Sequence, residues 1–242
     1  TWTKVSGPSC TITTPGSPNS GITGMTAGTY VFQWTATLGA CPLNDQVTIN
    51  LYNTPTASNA GTNFSTCLYS ALNLAGNTPT VGTGLWTQLS GAEIVFSSPT
   101  SATTAVVGAT PGSYVFRWTI SNGTCTPSSS DITVTVNDIP TTAVITGANQ
   151  SVTGTSVSVT GNTITVGTGL WSKVSGPIAG GGTITSPTSA STSITGLVDG
   201  TYIYRWTSTS GVCTSFDEIT ITKNGYSCVI SNKMISPNLY LK

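Results

Sequence analysis

Six tryptophans recur in two series that keep step along the chain. Trp2, Trp86 and Trp171 lie 84 and 85 residues apart, and Trp34, Trp118 and Trp206 lie 84 and 88 apart. The text around the first series is Thr1-Trp2-Thr3-Lys4-Val5-Ser6-Gly7-Pro8, then Leu85-Trp86-Thr87-Gln88-Leu89-Ser90-Gly91, then Leu170-Trp171-Ser172-Lys173-Val174-Ser175-Gly176-Pro177. Around the second it is Gly-x-Tyr-x-Phe/Tyr-x-Trp, carrying Tyr30, Tyr114 and Tyr202. Each copy continues to a cysteine (Cys41, Cys125, Cys213) and an Asp (Asp45, Asp131, Asp217) that leads an alternating stretch. Chance does not hold register over such a distance, so the chain repeats one structural unit.

A period of about 85 residues is too long for a solenoid repeat and suits a small β-sandwich. Ser and Thr make up roughly a third of the sequence; Thr favours strands and Ser favours turns. In the middle copy, alternation predicts strands near Leu68–Leu74, Gly84–Leu89, Glu93–Phe96, Thr103–Val107, Ser113–Ile120 and Ile132–Val136, with another near Pro55–Ala57. Helical signals are absent. The expected fold class is all-β, a string of tandem immunoglobulin-like sandwiches. Tyr30, Tyr114 and Tyr202 stand where that fold places a tyrosine corner, and Trp2, Trp86 and Trp171 where it buries a central tryptophan. With Trp34, Trp118 and Trp206, these residues are the expected core.

The repeat sets expected boundaries: 1–53 as the C-terminal portion of a first sandwich, 54–138 and 139–223 as two complete ones, and 224–242 as a tail. The joints Asn53-Thr54-Pro55-Thr56 and Asp138-Ile139-Pro140-Thr141 are short and carry proline, which predicts a semi-rigid, extended arrangement. Because the first copy opens at its central tryptophan, its leading strands are expected ahead of residue 1, and 1–53 should present an open sheet edge.

Charge narrows the function classes. Seven basic and seven acidic residues give zero net charge, and histidine is absent. Phosphate neutralisation needs a clustered basic face, so nucleic acid is excluded as a partner, as is a polybasic membrane surface. No apolar run approaches the ~20 residues that span a bilayer. Without histidine, Ser-His and Cys-His nucleophiles are excluded. Asp45, Asp131 and Asp217 are read as caps on the last turn, with calcium ligation left open. Asp217 and Glu218 are strand neighbours on opposite faces, unlike a glycosidase pair. The glycine-rich stretches lack a following helix and lysine, so they are turns rather than phosphate cradles. No catalytic, cofactor or metal residue is expected. The sequons at Asn63, Asn122 and Asn149 carry little weight in a Ser/Thr-rich chain.

In the middle copy, Cys67 opens an early strand and Cys125 follows the penultimate one. Antiparallel packing is expected to bring them together in an intradomain disulfide, worth ~4 kcal/mol in the chain-entropy model. Cys10 then pairs with Cys41 or stays free, and Cys213 pairs with Cys228 or stays free. Disulfides predict an oxidising, extracytosolic location.

The Gly-x-Trp-x-x-x-Ser-Gly-Pro stretch, followed by Gly-x-Tyr-x-Phe-x-Trp-Thr-x-x-x-Gly-x-Cys and Asp-x-x-Thr-Val, resembles the PKD-like repeats of very large surface proteins of gliding Bacteroidota. The resemblance covers about residues 1–223. It implies a non-catalytic stalk or filament of a cell-surface adhesin acting in gliding motility. Its expected partners are other repeats of the same chain and the outer-membrane secretion and motility machinery, with surface glycans as a further candidate. Cys228-Val229-Ile230-Ser231-Asn232-Lys233-Met234-Ile235-Ser236-Pro237-Asn238 is similar to the opening of a type IX secretion sorting domain. It departs from that pattern at Leu239-Tyr240-Leu241-Lys242, so the domain is cut short or absent. The alternative is a carbohydrate-binding module of a secreted polysaccharide-degrading enzyme, which predicts aromatics on a solvent face.

Overall fold

The structure is a computed structural model that describes residues 1–178 and 180–225. Among these residues every regular element is a strand. The chain divides into two compact units, Thr1–Val136 and Asn137–Lys242, the described part of the second ending at Gly225.

The first copy contributes β1 (Trp2–Ser6), β2 (Thr11–Ile12), β3 (Ile22–Thr23), β4 (Gly28–Leu38) and β5 (Cys41–Leu51). The second contributes β6 (Phe64–Cys67), β7 (Leu72–Ala75), β8 (Thr83–Ser90), β9 (Val95–Phe96), β10 (Thr103–Val107), β11 (Gly112–Ser121) and β12 (Ser128–Asn137). The third contributes β13 (Ile145–Thr146), β14 (Gln150–Val152), β15 (Ser156–Gly161), β16 (Thr168–Ser175), β17 (Thr183–Ile184), β18 (Ser191–Thr195), β19 (Gly200–Ser210) and β20 (Cys213–Lys223).

Each complete copy is a two-sheet sandwich. In the second, the order β6-β12-β11-β8 faces β7-β10-β9; in the third, β14-β20-β19-β16 faces β13-β15-β18-β17. The first copy holds only β1-β4-β5 and the two-stranded β2-β3. Its β5 is therefore a free edge, where β12 and β20 each have an outer neighbour.

The period-2 alternation fixes which side chains face inward. On β11, Tyr114, Phe116, Trp118 and Ile120 are buried, and Arg117 points outward between them. The expected Leu68–Leu74 strand is instead two strands in different sheets. The chain turns between them at Tyr69, whose φ is 63°, with Ser70 N–H donating to Cys67 O at 3.0 Å. No strand forms at Pro55–Ala57, where Thr56 N–H donates to Val81 O at 3.1 Å and Asn77 Nδ2 donates to Ala57 O at 2.9 Å.

The two tryptophan series meet. Trp86 faces Trp118, Trp171 faces Trp206, and Trp2 faces Trp34 across neighbouring antiparallel strands, with ring centroids 5.1, 5.3 and 5.3 Å apart. Gly84 lies directly under the Trp118 ring, and a Cβ at Gly76 would come within 2.9 Å of it, so both positions exclude a side chain. Trp86, Trp118, Trp171, Trp206, Tyr30, Tyr114 and Tyr202 are buried. Trp2 and Trp34 are only half-buried, a correction to the expected uniform core. The cause is the missing cover: in the second copy the counterpart Trp118 is roofed by Gly76 and donates its Nε1–H to Asn77 O at 3.1 Å.

The expected Cys67–Cys125 bridge does not form. Cys125 is a free thiol, its Sγ 3.5 Å from Asn53 O, whereas Cys67 is engaged in a disulfide, and so is Cys213. Segment 58–63 runs parallel to β12, not antiparallel. Ser58 N–H reaches Ser128 Oγ, Ala60 N–H reaches Ser130 Oγ, and Asn63 Oδ1 accepts from Thr133 N–H. The third copy shows the same direction, with β14 parallel to β20. Cys67 thus arrives beside Val136, whereas Cys125 precedes Ser128, and the strand between these ends is ~30 Å long. Cys10 and Cys41 are both free thiols, and Cys228 lies outside the described residues, as does the Cys228–Asn238 stretch.

Candidate functional site

Residues that repeat in all three copies are spent on holding the sandwich. The three tyrosine hydroxyls close the same local loop. Tyr30, Tyr114 and Tyr202 each accept from, and donate to, the backbone of the residue four positions earlier, Thr26, Thr110 and Val198, at 2.8–3.0 Å. This is the tyrosine corner of immunoglobulin-like sandwiches. Burial pushes the neighbouring Tyr204 hydroxyl up to about 12, with the adjacent Tyr202 adding to it, and that hydroxyl donates to Gly182 O at 2.8 Å.

The strand acids are not equivalent to one another, which corrects the reading of Asp45, Asp131 and Asp217 as one repeated cap. Across the ladder, Trp34 faces Asp45, Trp118 faces Ser130 and Trp206 faces Asp217. Asp131 sits one residue further, on the opposite face, since a single step reverses a strand side chain. There it pairs with Arg117, the guanidinium donating to both carboxylate oxygens at 2.7 and 2.9 Å. That hydrogen bond holds the Asp131 carboxyl below its usual range and raises Arg117. Arg205 with Glu218 occupies the same place in the third copy, and Gln33 with Gln46 in the first.

Asp217 and Ser130 do a different job. Asp217 Oδ2 accepts Ile145 N–H at 2.8 Å and Oδ1 accepts Glu218 N–H at 2.8 Å, while Ser130 Oγ takes the equivalent Ala60 N–H at 3.2 Å. These side chains tie the leading segment to the last strand where no backbone ladder exists. Asn77 and Asn162 complete the tie. Asn77 bonds Asn59 N–H and Ala57 O, and Asn162 bonds Val144 N–H and Thr142 O, all at 2.8–2.9 Å. Sequence reasoning passed over them, although the triplet Gly-Asn-Thr at Gly76–Thr78 and Gly161–Thr163 was a repeated signal. The sequon asparagines Asn63 and Asn149 serve the same segment, accepting from Thr133 and Thr220 N–H.

The first copy is where the apolar interior reaches solvent. A cavity of about 170 Å³ is bounded by Trp2, Ile12, Pro18, Ile22, Phe32, Val47 and Ile49. A second opening, of about 250 Å³, lies over Trp2, Trp34, Asp45 and Gln46. Val47 is 42% exposed and Leu51 39%, where their counterparts in the second copy, Ile132 and Val136, are 3% and 4%. No group of three or more Cys, Asp or Glu is placed to hold a metal among the described residues. Nor is any helix there long and apolar enough to cross a membrane.

A joint between copies is visible within the first unit. Asn122 Nδ2 donates to Asn53 O at 2.8 Å, and Gly123, at φ 54°, lies against the Tyr52 ring. A Cβ there would approach the ring to 2.5 Å, so the turn requires glycine twice over.

A comparison with curated protein sequences finds no match. Among solved structures, the chain is similar to extracellular domains 3–5 of Drosophila OTK, at 9% identity over 80% of this chain and 70% of that one, with a TM-score of 0.48. It is also similar to the PKD domain from KIAA 1837 protein, at 23% identity over 34% of this chain and 85% of that one, with a TM-score of 0.30. Fibronectin(III)-like modules of Clostridium thermocellum CbhA match at 14% identity over 71% of this chain and 95% of that one, with a TM-score of 0.39. The model of the K319L-like, PKD domain family matches residues 60–136 and again 146–222. Two tandem matches take in more than half the sequence, and the chain belongs to that family.

Proposed function

We propose that this chain is a non-catalytic scaffold segment of an extracellular adhesin, built from PKD-like modules with boundaries near residues 53, 138 and 223. The observation that carries the reading is the clasped joint. Tyr52 and Asn53 are held by the turn at Asn122–Cys125 of the following module, so the connection is a packed contact instead of a loose tether. The repeat-locked aromatics support it too, because in the two complete copies they fill the interior and leave no aromatic cleft. Low charge suits a spacer that steers no ligand. The finer assignment, a gliding-motility adhesin of the outer surface exported by type IX secretion, rests on the resemblance of the repeat text.

Force spectroscopy of the chain between surface tethers tests the scaffold role. The expected trace is separate unfolding peaks with contour lengths of one module. A single cooperative event, or extension without resistance, would defeat the reading.

One observation favours a second reading, carbohydrate binding. Trp2 and Trp34 line the solvent-open groove of the first copy beside Asp45 and Gln46. Glycan-array binding that is lost in Trp34→Ala would support it over the scaffold role.

A further inference from the structure

We infer that the turn after β6 in the second module is a binding site for a neutral oligosaccharide, with Tyr69 as the platform on which one sugar ring stacks. Residues that hold the sandwich recur from copy to copy. Tyr69 does not: the third module carries Gly154 at the corresponding place in the sequence. A side chain outside the repeat pattern is free to serve a ligand.

Tyr69 stands in a backbone conformation that costs stability. It is the third of four residues in the turn that Ser70 N–H closes on Cys67 O, and its φ is 63°. A turn with positive φ at that place takes glycine or asparagine, because a Cβ crowds the backbone in the left-handed region. Among the described residues, Tyr69 is the only one other than glycine with a positive φ. Burial does not offset the strain, since the side chain is 87% exposed. Strain kept without packing in return points to a residue held for contact with something else.

The ring borders a cavity of about 300 Å³, the lower end of the range for small-ligand sites. Leu72, Val106 and Val136, all buried, form its apolar floor. Exposed Ser70 adds a hydroxyl to the lining, and Gly108, at φ 87°, leaves open space where a side chain would stand. No charged residue lines the cavity. An acidic or basic ligand would therefore lose water there without a compensating partner. An aromatic face beside hydroxyls and an uncharged apolar floor suits a neutral sugar, whose C–H face packs on the ring while its hydroxyls exchange hydrogen bonds at the wall. The site is separate from the Trp2–Trp34 groove. The inference goes beyond the scaffold reading, and either can fail without the other.

The test titrates cellohexaose, laminarihexaose, maltohexaose and chitohexaose into the full chain, with tetragalacturonate as the charged control, and follows amide NMR signals. Saturable one-to-one binding of at least one neutral oligosaccharide is expected, with shifts centred on residues 66–72 and 106–109, and none from tetragalacturonate. Tyr69→Ala should weaken binding about tenfold, the loss of one stacking contact. Tyr69→Gly should weaken it as much while leaving the unfolding midpoint of the second module unchanged or higher, because glycine relieves the turn. Trp34→Ala should leave binding intact. No binding by any neutral oligosaccharide, equal affinity in Tyr69→Ala, or equal binding of tetragalacturonate would overturn the inference. So would a lower midpoint in Tyr69→Gly, which would give the ring a structural task. Loss of binding in Trp34→Ala alone would place the sugar in the first copy and overturn it as well.

Discussion

Trp86 and Trp118 face each other across β8 and β11 with ring centroids 5.1 Å apart, and each indole N–H reaches a carbonyl, Ala102 O and Asn77 O. The pair stands at the centre of the sandwich, where it joins the two sheets by packing instead of a covalent bridge. Trp118→Ala should cost about 3–5 kcal/mol of stability in the second module. Trp34→Ala, the same position in the open first copy, should cost less, because that ring is already partly exposed to water. Denaturant titrations of the two variants, read module by module through amide exchange, check the difference.

The tyrosine corner behaves otherwise. Tyr30, Tyr114 and Tyr202 each bond the backbone four residues away, so that contact is complete even where the sandwich is not. Replacing any of the three by Phe should cost about 1–2 kcal/mol, the stranding of a buried backbone donor included. The penalty should be the same in the first copy as in the others. Similar midpoint shifts for Tyr30→Phe and Tyr114→Phe are expected, and a negligible shift for Tyr30→Phe would show that the first copy is not folded as described.

Ser208 is the place where the third module departs from the second. Its counterpart is Ile120, fully buried in the second core, yet Ser208 is also fully buried, and its Oγ meets no partner among the described residues. The Nε1 of Trp206, two residues back on the same face, is likewise without one there. A buried unpaired hydroxyl costs roughly 1–3 kcal/mol. Ser208→Ala removes it without adding bulk, so thermal unfolding of the third module should move up, not down. A fall in midpoint would mean that the hydroxyl is satisfied in solution.

Much of this architecture was legible in the sequence, and the reason is periodicity. Tryptophans in step mark positions whose neighbours cannot change without refilling a core, so Trp86, Trp118, Trp171 and Trp206 declared both the repeat and its interior. The leading segments were harder to read. They run parallel to the last strand and are tied by Ser130, Asp217, Asn63 and Asn149 side chains instead of a ladder, so they leave little alternation to detect. That direction also undid the Cys67–Cys125 pairing, which assumed antiparallel neighbours. Matching Asp131 to Asp45 and Asp217 by text placed it one residue out of register, and on a strand one residue separates the inner face from the outer. The open groove of the first copy depends on what covers it, which no residue in 1–53 states alone.

Tyr204 is expected to make the third module sensitive to alkaline pH. The corresponding residues of the other copies are Phe32 and Phe116, which carry no titrating group. Buried against Gly182, the Tyr204 hydroxyl loses its proton only at about 12 when folded, against an ordinary value of 10.0. Below pH 10 it is neutral in both the folded and unfolded chain and stability is unaffected by it. Between 10 and 12 the unfolded chain ionises and the folded one does not, so the proton-bound native state loses ground as pH rises. Stability of the third module should therefore fall across that window, while the second, with Phe116, holds longer. Tyr204→Phe should flatten the alkaline decline at the cost of the hydrogen bond to Gly182 O. Unfolding midpoints of the two proteins measured at pH 8 and pH 11 give the comparison, and an equal decline in both would show that another group governs the transition.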